Sequence, residues 1–385
     1  MNIRTTVGGL AARVLPGLDE YVYNRDRNRQ FPQTNVRLGS GDVTNFRPRE
    51  PHIVVAALEG PGSESWGPAQ GNYYYEIFQS AREHFGASAV SVLDVGPQGR
   101  EDWGECLQGL LRETNATHLI AHMERDPGRL DDWNWDVVWS SIARWWDGVF
   151  VGIMWDSGFD LLQWKGRRLA RMSPNLLGLD ICVPIDERLV GRPEVGPVPL
   201  LESLETQEAL NRYLDASAKT TTSDVSFIGA LYPYRQKLLE QLETAGLRVA
   251  VNPHRKSEGE RSTWLEYMHA LASSEMTLNF SLASSGRDEQ LKWRVIEAPL
   301  AGTLLLTDDT TRTKEFFTRG REFDSFSGIE DLSRTVSQWL DRPEDLLRVQ
   351  RDGQKKALRL ATEGFWEALR SGLDKRGLPE LPSIM

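Results

Sequence analysis

From Pro51 onward the chain alternates short apolar runs with longer stretches of helical periodicity. IVVAALE (Ile53–Glu59), VSVLDV (Val90–Val95), THLIAHM (Thr117–Met123), GVFVGIMWD (Gly148–Asp156) and LLGLDICVPI (Leu176–Ile185) are apolar and β-rich. Helical segments fall between them at Tyr73–Phe85, Glu105–Glu113 and Asp136–Trp146. Continuous apolar strands separated by helices are what a parallel sheet covered on both faces requires. The rhythm then restarts. DVSFIG (Asp224–Gly229), LRVAV (Leu247–Val251), MTLNF (Met276–Phe280) and TLLLT (Thr303–Thr307) predict strands. Tyr234–Ala245 predicts a helix with Gly246 as its C-terminal cap, and Thr263–Ser273, Leu291–Ala301 and Ile329–Leu340 predict three more. Residues 343–372 read as largely helical with charged faces.

The Pro- and Val-rich stretch Glu187–Thr206 separates the two rhythms and reads as the interdomain connection. The expected organisation is an arginine-rich extension over 1–50, a first α/β domain over 51–205, a second over 206–360, and a helix and tail over 361–385. Two doubly wound, Rossmann-like domains of this kind place a ligand at the carboxyl ends of their strands, in the crevice between them.

Composition narrows the function more than the fold. Fifty-five acidic against 45 basic residues give a formal charge of −10, which disfavours broad binding to phosphate backbones. The longest apolar run, near Gly148–Trp155, is far too short to span a bilayer, and the N-terminal segment makes a poor signal peptide. The two cysteines, Cys106 and Cys182, exclude a disulfide framework and a Cys-rich zinc site. A cytoplasmic protein is expected.

Two stretches in the second half carry candidate chemistry. In FIGALYPYR (Phe227–Arg235) a strand ends at Gly229 and a helix starts near Tyr234. Glycine lets backbone amides approach an anion, and a helix N-terminus and the fork of Arg235 add positive charge. An ordinary β–α turn with a solvated arginine fits the same residues. In EQLKWRVIEAPLAG (Glu289–Gly302), Arg294 and Glu297 share one helix face. A carboxylate can accept from both hydroxyls of a ribose, while Arg or Lys neutralises a diphosphate. A salt-bridged surface face remains the alternative.

Taken in series, FIG…R, then YMHALASSEMTLNF (Tyr267–Phe280), R-x-x-E-A-P-x-A-G-T-x-L-L-T-D (Arg294–Asp308), EFF…GREF (Glu315–Phe323) and the helix ending near LDRPEDL (Leu340–Leu346) form a pattern. The pattern resembles the C-terminal half of GT-B glycosyltransferases, closest to the group-1 branch that contains spore-maturation-type enzymes. It spans roughly 222–360. The resemblance implies a hexosyltransferase-like enzyme with a nucleotide-diphosphate sugar as donor substrate and no cofactor. It also implies donor-site positions. Gly229 and Arg235 fall in the phosphate loop, Arg294 with Lys292 near the diphosphate, and Glu297 by the ribose. Asn279 matches the asparagine of the family's strand-end pair. Glu289 and Glu297 match the two-glutamate spacing of sugar-retaining relatives, although the residues around Glu289 depart from the usual glycine- and phenylalanine-rich context. Inverting and retaining modes both stay open.

No Asp-x-Asp triplet that would chelate a divalent ion beside a sugar diphosphate occurs in the chain. His118 and His122 have a four-residue spacing but lie on a predicted strand, roughly 13 Å apart. Metal-independent transfer is therefore expected, with leaving-group charge met by Arg, Lys and helix dipoles. The acceptor, a small molecule, glycan or protein, falls to the first domain, whose Gly-rich loop Leu58–Glu76 follows the first strand. His122 and Asp156, each near a strand end, are the candidate catalytic bases, and both also suit plain structural capping. Of the 13 tryptophans, Trp135, Trp139 and Trp146 have helical spacing and read as core. A non-catalytic nucleotide-sugar or glycan-binding protein and a sugar-nucleotide epimerase fit the same architecture.

Overall fold

The computed structural model describes residues 49–57, 59–96, 102–122, 135–154, 175–180, 202–216, 221–252, 262–281, 291–308 and 313–383. They contain two five-stranded sheets whose strand pairs are all parallel. The first comprises β1 (Ile53–Ala56), β2 (Val90–Val92), β3 (His118–His122), β4 (Val149–Met154) and β5 (Leu176–Asp180), in the order β2-β1-β3-β4-β5. The second comprises β6 (Ser223–Phe227), β7 (Val249–Val251), β8 (Ser274–Asn279), β9 (Leu304–Thr307) and β10 (Asp324–Ser325), in the order β10-β9-β8-β6-β7. Counted along the chain, the two orders are the same arrangement.

The first sheet is buried on both sides because alternate residues of each strand point to opposite faces. Ile53, Val55, Ile120, Val149 and Val151 join α1 (Tyr73–Phe85) through Tyr73, Ile77 and Phe85. Val54, Ala56, Leu119, Ala121 and Phe150 meet α2 (Trp103–Glu113) and α3 (Trp135–Ile142) through Leu107, Leu111 and Trp139. Trp139 packs 4.5 Å from Phe150 and edge-on to Trp146 at 5.7 Å, so those two indoles are core as their spacing predicts.

The helices start and stop where local chemistry dictates. Asn72 caps α1 by accepting from the amides of Tyr74 and Tyr75, and Gly86 leaves it at φ 87°. After α4 (Leu204–Ala216), α5 (Pro233–Thr244) opens with proline at its first position and exits through Gly246 at φ 86°. α6 (Trp264–Ala272) carries a full capping box between Thr263 and Glu266. Next come α7 (Arg294–Leu300), the short α8 (Thr313–Phe316), α9 (Ile329–Leu340) and α10 (Pro343–Arg359). Leu332, Val336 and Trp339 turn one face of α9 onto Val225, Phe227 and Leu304 of the second sheet.

Three features depart from the sequence reading. The connection Glu187–Thr206 was expected to be irregular, yet its end, from Leu204, opens helix α4, which spans the proposed boundary at 205/206 with Thr206, Gln207 and Leu210 buried. Helix α8 and the two-residue edge strand β10 give no periodic signal and were not anticipated. The long terminal helix runs through 360/361 without stopping, by way of a π turn over Leu360–Gly364, into α11 (Phe365–Lys375).

Helix α11 packs on the first sheet's side of the molecule. Trp366 is fully buried, lies edge-on to Phe85 at 5.2 Å, and donates from Nε1 to Ser80 Oγ at 2.8 Å. Beyond it, Leu378 and Leu381 enter the same core, and the Pro379 carbonyl pairs with His118 Nε2 at 3.1 Å. Burial holds the His118 imidazole down at about 4, so it is neutral and can donate to that carbonyl. We expect Trp366→Ala to lower unfolding free energy by about 3–5 kcal/mol, through lost burial, a cavity and an orphaned Ser80 hydroxyl. Urea denaturation measures this, and a loss below about 1 kcal/mol would mean that α11 does not anchor the first unit.

Candidate functional site

In each sheet the first and third strands in chain order lie side by side, and the chain leaves them in opposite directions. That switch point opens a crevice at their carboxyl ends. The second sheet's crevice lies between the ends of β6 and β8. Asn279, the last residue of β8, is fully buried there and donates from Nδ2 to Thr307 Oγ1 at 3.0 Å. Its Oδ1 is buried with no hydrogen-bond partner. The Ser281 amide donates to Asp308 Oδ1 at 2.6 Å, tying the exits of β8 and β9 together.

Gly229 follows β6 with φ +151°, a conformation that disfavours side chains. A Cβ there would stand 3.3 Å from Phe227 Cζ and 3.6 Å from Arg294 Nη2. The residue therefore lets the loop pass close beneath the Arg294 guanidinium. Asn252, at φ +45° after β7, clamps this loop from both sides. Its Oδ1 accepts from the Gly229 amide at 2.7 Å, and its Nδ2 donates to the Gly229 carbonyl at 3.1 Å. Sequence reading missed Asn252. An Asn-Pro pair closing a short strand is the signal that marks it.

Arg235 lies one turn further on and is buried. Its Nε donates to Tyr234 Oη at 2.8 Å and its Nη1 to the Ala230 carbonyl at 3.1 Å. The guanidinium also stacks over the Tyr232 ring at 4.6 Å. Two of its donors are thus committed to the loop it supports.

Arg294 and Glu297 both lie on α7, with Lys292 half-buried just before it. The guanidinium of Arg294 sits 5.7 Å over Phe227, beside Gly229, and its buried Nε has no acceptor. Tyr267 stands between the two charges. It donates to Glu297 Oε2 at 2.6 Å and is hydrogen-bonded by Arg294. Burial raises the Glu297 carboxyl above its ordinary range, opposed by the Tyr267 hydrogen bond and the Arg294 charge. The three residues form one polar unit, of which sequence reading identified two.

The first sheet's crevice faces this unit. His122 ends β3, buried, with its ring 6.0 Å from that of Tyr74 on α1. Asp156 and Glu289 lie outside the described residues. Next to the Tyr73 and Tyr74 rings is an acid the sequence reading passed over. Glu76 is buried and accepts from the Ser203 amide and hydroxyl at 2.7 and 2.9 Å, and from Thr206 Oγ1 at 2.7 Å. It so caps the N-terminus of α4. Desolvation lifts its carboxyl to about 7 despite those three bonds. Glu202, also buried, accepts from Gln207 Nε2 through one oxygen, while the other has no partner. Burial, and then the charges of Glu76 and Glu297, push Glu202 well above the carboxylate range. Among the described residues no cluster of three metal-ligating side chains occurs, and no helix is long and apolar enough to cross a membrane.

With this geometry in view, known proteins can be compared. Residues 234–362 match the model of a glycosyl transferase-like family, less than half of the chain. No curated protein matches it in sequence. Among solved structures, an α-glucosyltransferase in complex with UDP and a mismatched 13-mer DNA superposes with a TM-score of 0.50. The two share 10% identity over 85% of this chain and 99% of the other. HepE from Anabaena in complex with UDP gives 0.49 at 12% identity, over 84% and 100% of the chains. AviGT4, a glycosyltransferase of avilamycin A biosynthesis, gives 0.46 at 15%, over 85% and 99%. The fold is accordingly the GT-B glycosyltransferase fold, two parallel-sheet α/β domains, as the sequence pattern predicts.

The raised carboxyl of Glu76 sets a pH dependence. The native state holds this proton more tightly than the unfolded chain, so the contribution is complete below about 4.5 and is lost as pH rises toward about 7. We expect the stability of wild type relative to Glu76→Gln to fall across that window. Parallel pH profiles of the two proteins in chemical denaturation would refute this assignment.

Proposed function

We propose that the protein is a glycosyltransferase that moves a sugar from a nucleotide-diphosphate donor to an acceptor bound on the first sheet's side. In the reaction the bond from the anomeric carbon to the phosphate oxygen breaks, and a bond to an acceptor oxygen forms. The nucleoside diphosphate leaves, and the acceptor proton passes to a base. The observation that carries the reading is the Gly229–Arg294–Tyr267–Glu297 unit at the second sheet's switch point. It offers what such a donor needs in one place: a glycine-permitted close approach, a guanidinium with unused donor capacity, and a carboxylate beside it. The family match over 234–362 supports it, as does the shared fold of a glucosyltransferase whose structure holds UDP. The motif series from Arg294 to Asp308 favours the group-1, spore-maturation-type branch.

In this reading Arg294 and Lys292 meet the diphosphate, Glu297 accepts from the ribose, and Gly229 presents the loop. Arg235 and Asn252 hold that loop in place, and Asn279 borders the sugar. His122 and Asp156 are the candidate bases. Incubation with a panel of nucleotide sugars tests the class. Slow hydrolysis of one donor is the expected outcome, whereas isomerisation of the sugar, or binding without turnover, would replace the reading with an epimerase or a binding protein.

Two further outcomes follow from the residues. Hydrogen bonds to charged groups contribute about 1.5–3 kcal/mol, so Glu297→Gln should weaken nucleoside diphosphate binding by about tenfold to a hundredfold. Arg294→Ala should weaken the diphosphate strongly and the bare nucleoside far less. Calorimetry giving wild-type affinity for both variants would move the donor site elsewhere. Because the chain has no Asp-x-Asp triplet and places Arg294 at the loop, turnover should persist in EDTA. Loss of activity in EDTA, restored by magnesium or manganese, would show that a metal carries the leaving-group charge.

A further inference from the structure

A groove of about 310 Å³, within the size range of small-molecule sites, opens on the second unit at the end of its sheet away from the crevice. Helix α4 packs on α6, α6 on α7 and α7 on α10, so α4 and α10 stand as opposite walls. The floor is Ala272, Ser273, Ala301 and Gly302, where α6 and α7 finish, and the small size of these residues leaves the space open. Strand β8 starts directly after this floor at Ser274 and ends in the crevice at Asn279. Its length puts about 17 Å between the groove and the donor unit.

The two walls carry opposite charges. Asp215 lines the groove from α4 and Arg351 from α10, both exposed, and neither is in an ion pair among the described residues. Asn211 lies one turn before Asp215, and His269 reaches in from α6 with its ring edge-on to Tyr213 at 6.1 Å. The α10 wall is pinned to the body of the unit. Gln350 Nε2 donates to the Glu275 carbonyl at 2.8 Å, and Gln354 Nε2 to the Leu300 carbonyl at 3.1 Å. Leu214 and the exposed Leu347 add apolar surface to the two walls.

This arrangement selects on charge. A purely anionic guest meets Asp215 and the carbonyl ends of α4 and α6, which finish here. A purely cationic guest meets Arg351. A molecule that carries both charges satisfies both walls at once, and two helices lie between those walls, so its charges are set apart by a chain. The guanidinium can take a carboxylate through two parallel N–H donors, and the Asp215 carboxylate accepts from an ammonium. Leu214 and Leu347 shelter the methylenes between them.

We propose that this groove binds a linear amino-carboxylate, an ammonium and a carboxylate joined by a short apolar chain, with its carboxylate on Arg351 and its ammonium on Asp215. The proposal does not rest on the glycosyltransferase reading.

The test titrates the full chain with 4-aminobutyrate, 6-aminohexanoate and 8-aminooctanoate, a series that samples the gap, by ligand-observed saturation-transfer NMR. The alkyl carboxylate and the alkylammonium of matching length are the single-charge controls. We expect the best amino-carboxylate to bind at least fivefold more tightly than either control. Two variants should then give a crossed pattern. Arg351→Gln weakens the amino-carboxylate and the carboxylate and spares the alkylammonium. Asp215→Asn weakens the amino-carboxylate and the alkylammonium and spares the carboxylate. Absence of binding, equal binding of amino-carboxylate and controls at every length, or wild-type affinity in either variant would overturn the proposal; if one variant does not fold, the other decides. UDP binding, measured on the same samples, is read separately, because its absence bears on the glycosyltransferase reading alone.

Discussion

Helix α11 follows the second α/β unit in sequence, but its apolar face is buried against the first. Trp366 reaches between Phe85 and Ser80 of α1, and beyond it the Pro379 carbonyl accepts a hydrogen bond from the buried His118. The crevice walls depend on this return. Tyr73, one turn ahead of Glu76 on the same helix, touches both Phe365 at 6.4 Å and Trp293 at 5.3 Å. A shift of α11 would therefore be felt at the start of α7, where Arg294 and Glu297 stand. Close-packed aromatic rings transmit such displacements because they have little free volume to absorb them.

Across the crevice the electrostatics are divided. The side built on β6 and α7 gathers arginines around a glycine loop, each held by neutral aromatic and amide groups. The side built on α1 and α4 gathers carboxyls whose ordinary charge is suppressed by burial. Tyr267 and Glu297 sit at the border, hydrogen-bonded to each other, and the Glu297 charge bears on Glu202 across it.

The two-sheet architecture was legible because buried parallel strands are apolar on both faces and leave short, continuous runs. Tyr73–Phe85 and Ile329–Leu340 were read to the residue, since a strong apolar stripe runs along each, and Asn72 and Gly86 also bound the first. Helix α4 was hidden because its buried positions Thr206 and Gln207 are polar, Thr206 bonding to Glu76 far away in sequence and Gln207 to the nearby Glu202, so no stripe marks it. The same reason explains the site residues. Arg294 and Glu297 announce themselves by spacing on one helix. Asn252, Tyr267 and Glu76 act through contacts whose partners lie elsewhere in the chain, and pairings of that kind leave no periodic trace. Arg235 was legible as a loop residue, while its engagement by Ala230 and Tyr234 emerges only in three dimensions.

The π turn at Leu360–Gly364 has a use beyond shape. A widened turn alters the regular carbonyl-to-amide ladder, and the Glu202 amide donates to the Ala361 carbonyl there at 2.9 Å. The chain passes between the two units on the way out near Glu202 and on the way back near Ala361, so its two crossings are riveted together. Two independent tethers would let one unit twist and slide on the other. The bond fixes the outgoing and returning crossings to each other at one point of the backbone, so a displacement of the returning helix is passed directly to the segment that carries Glu202.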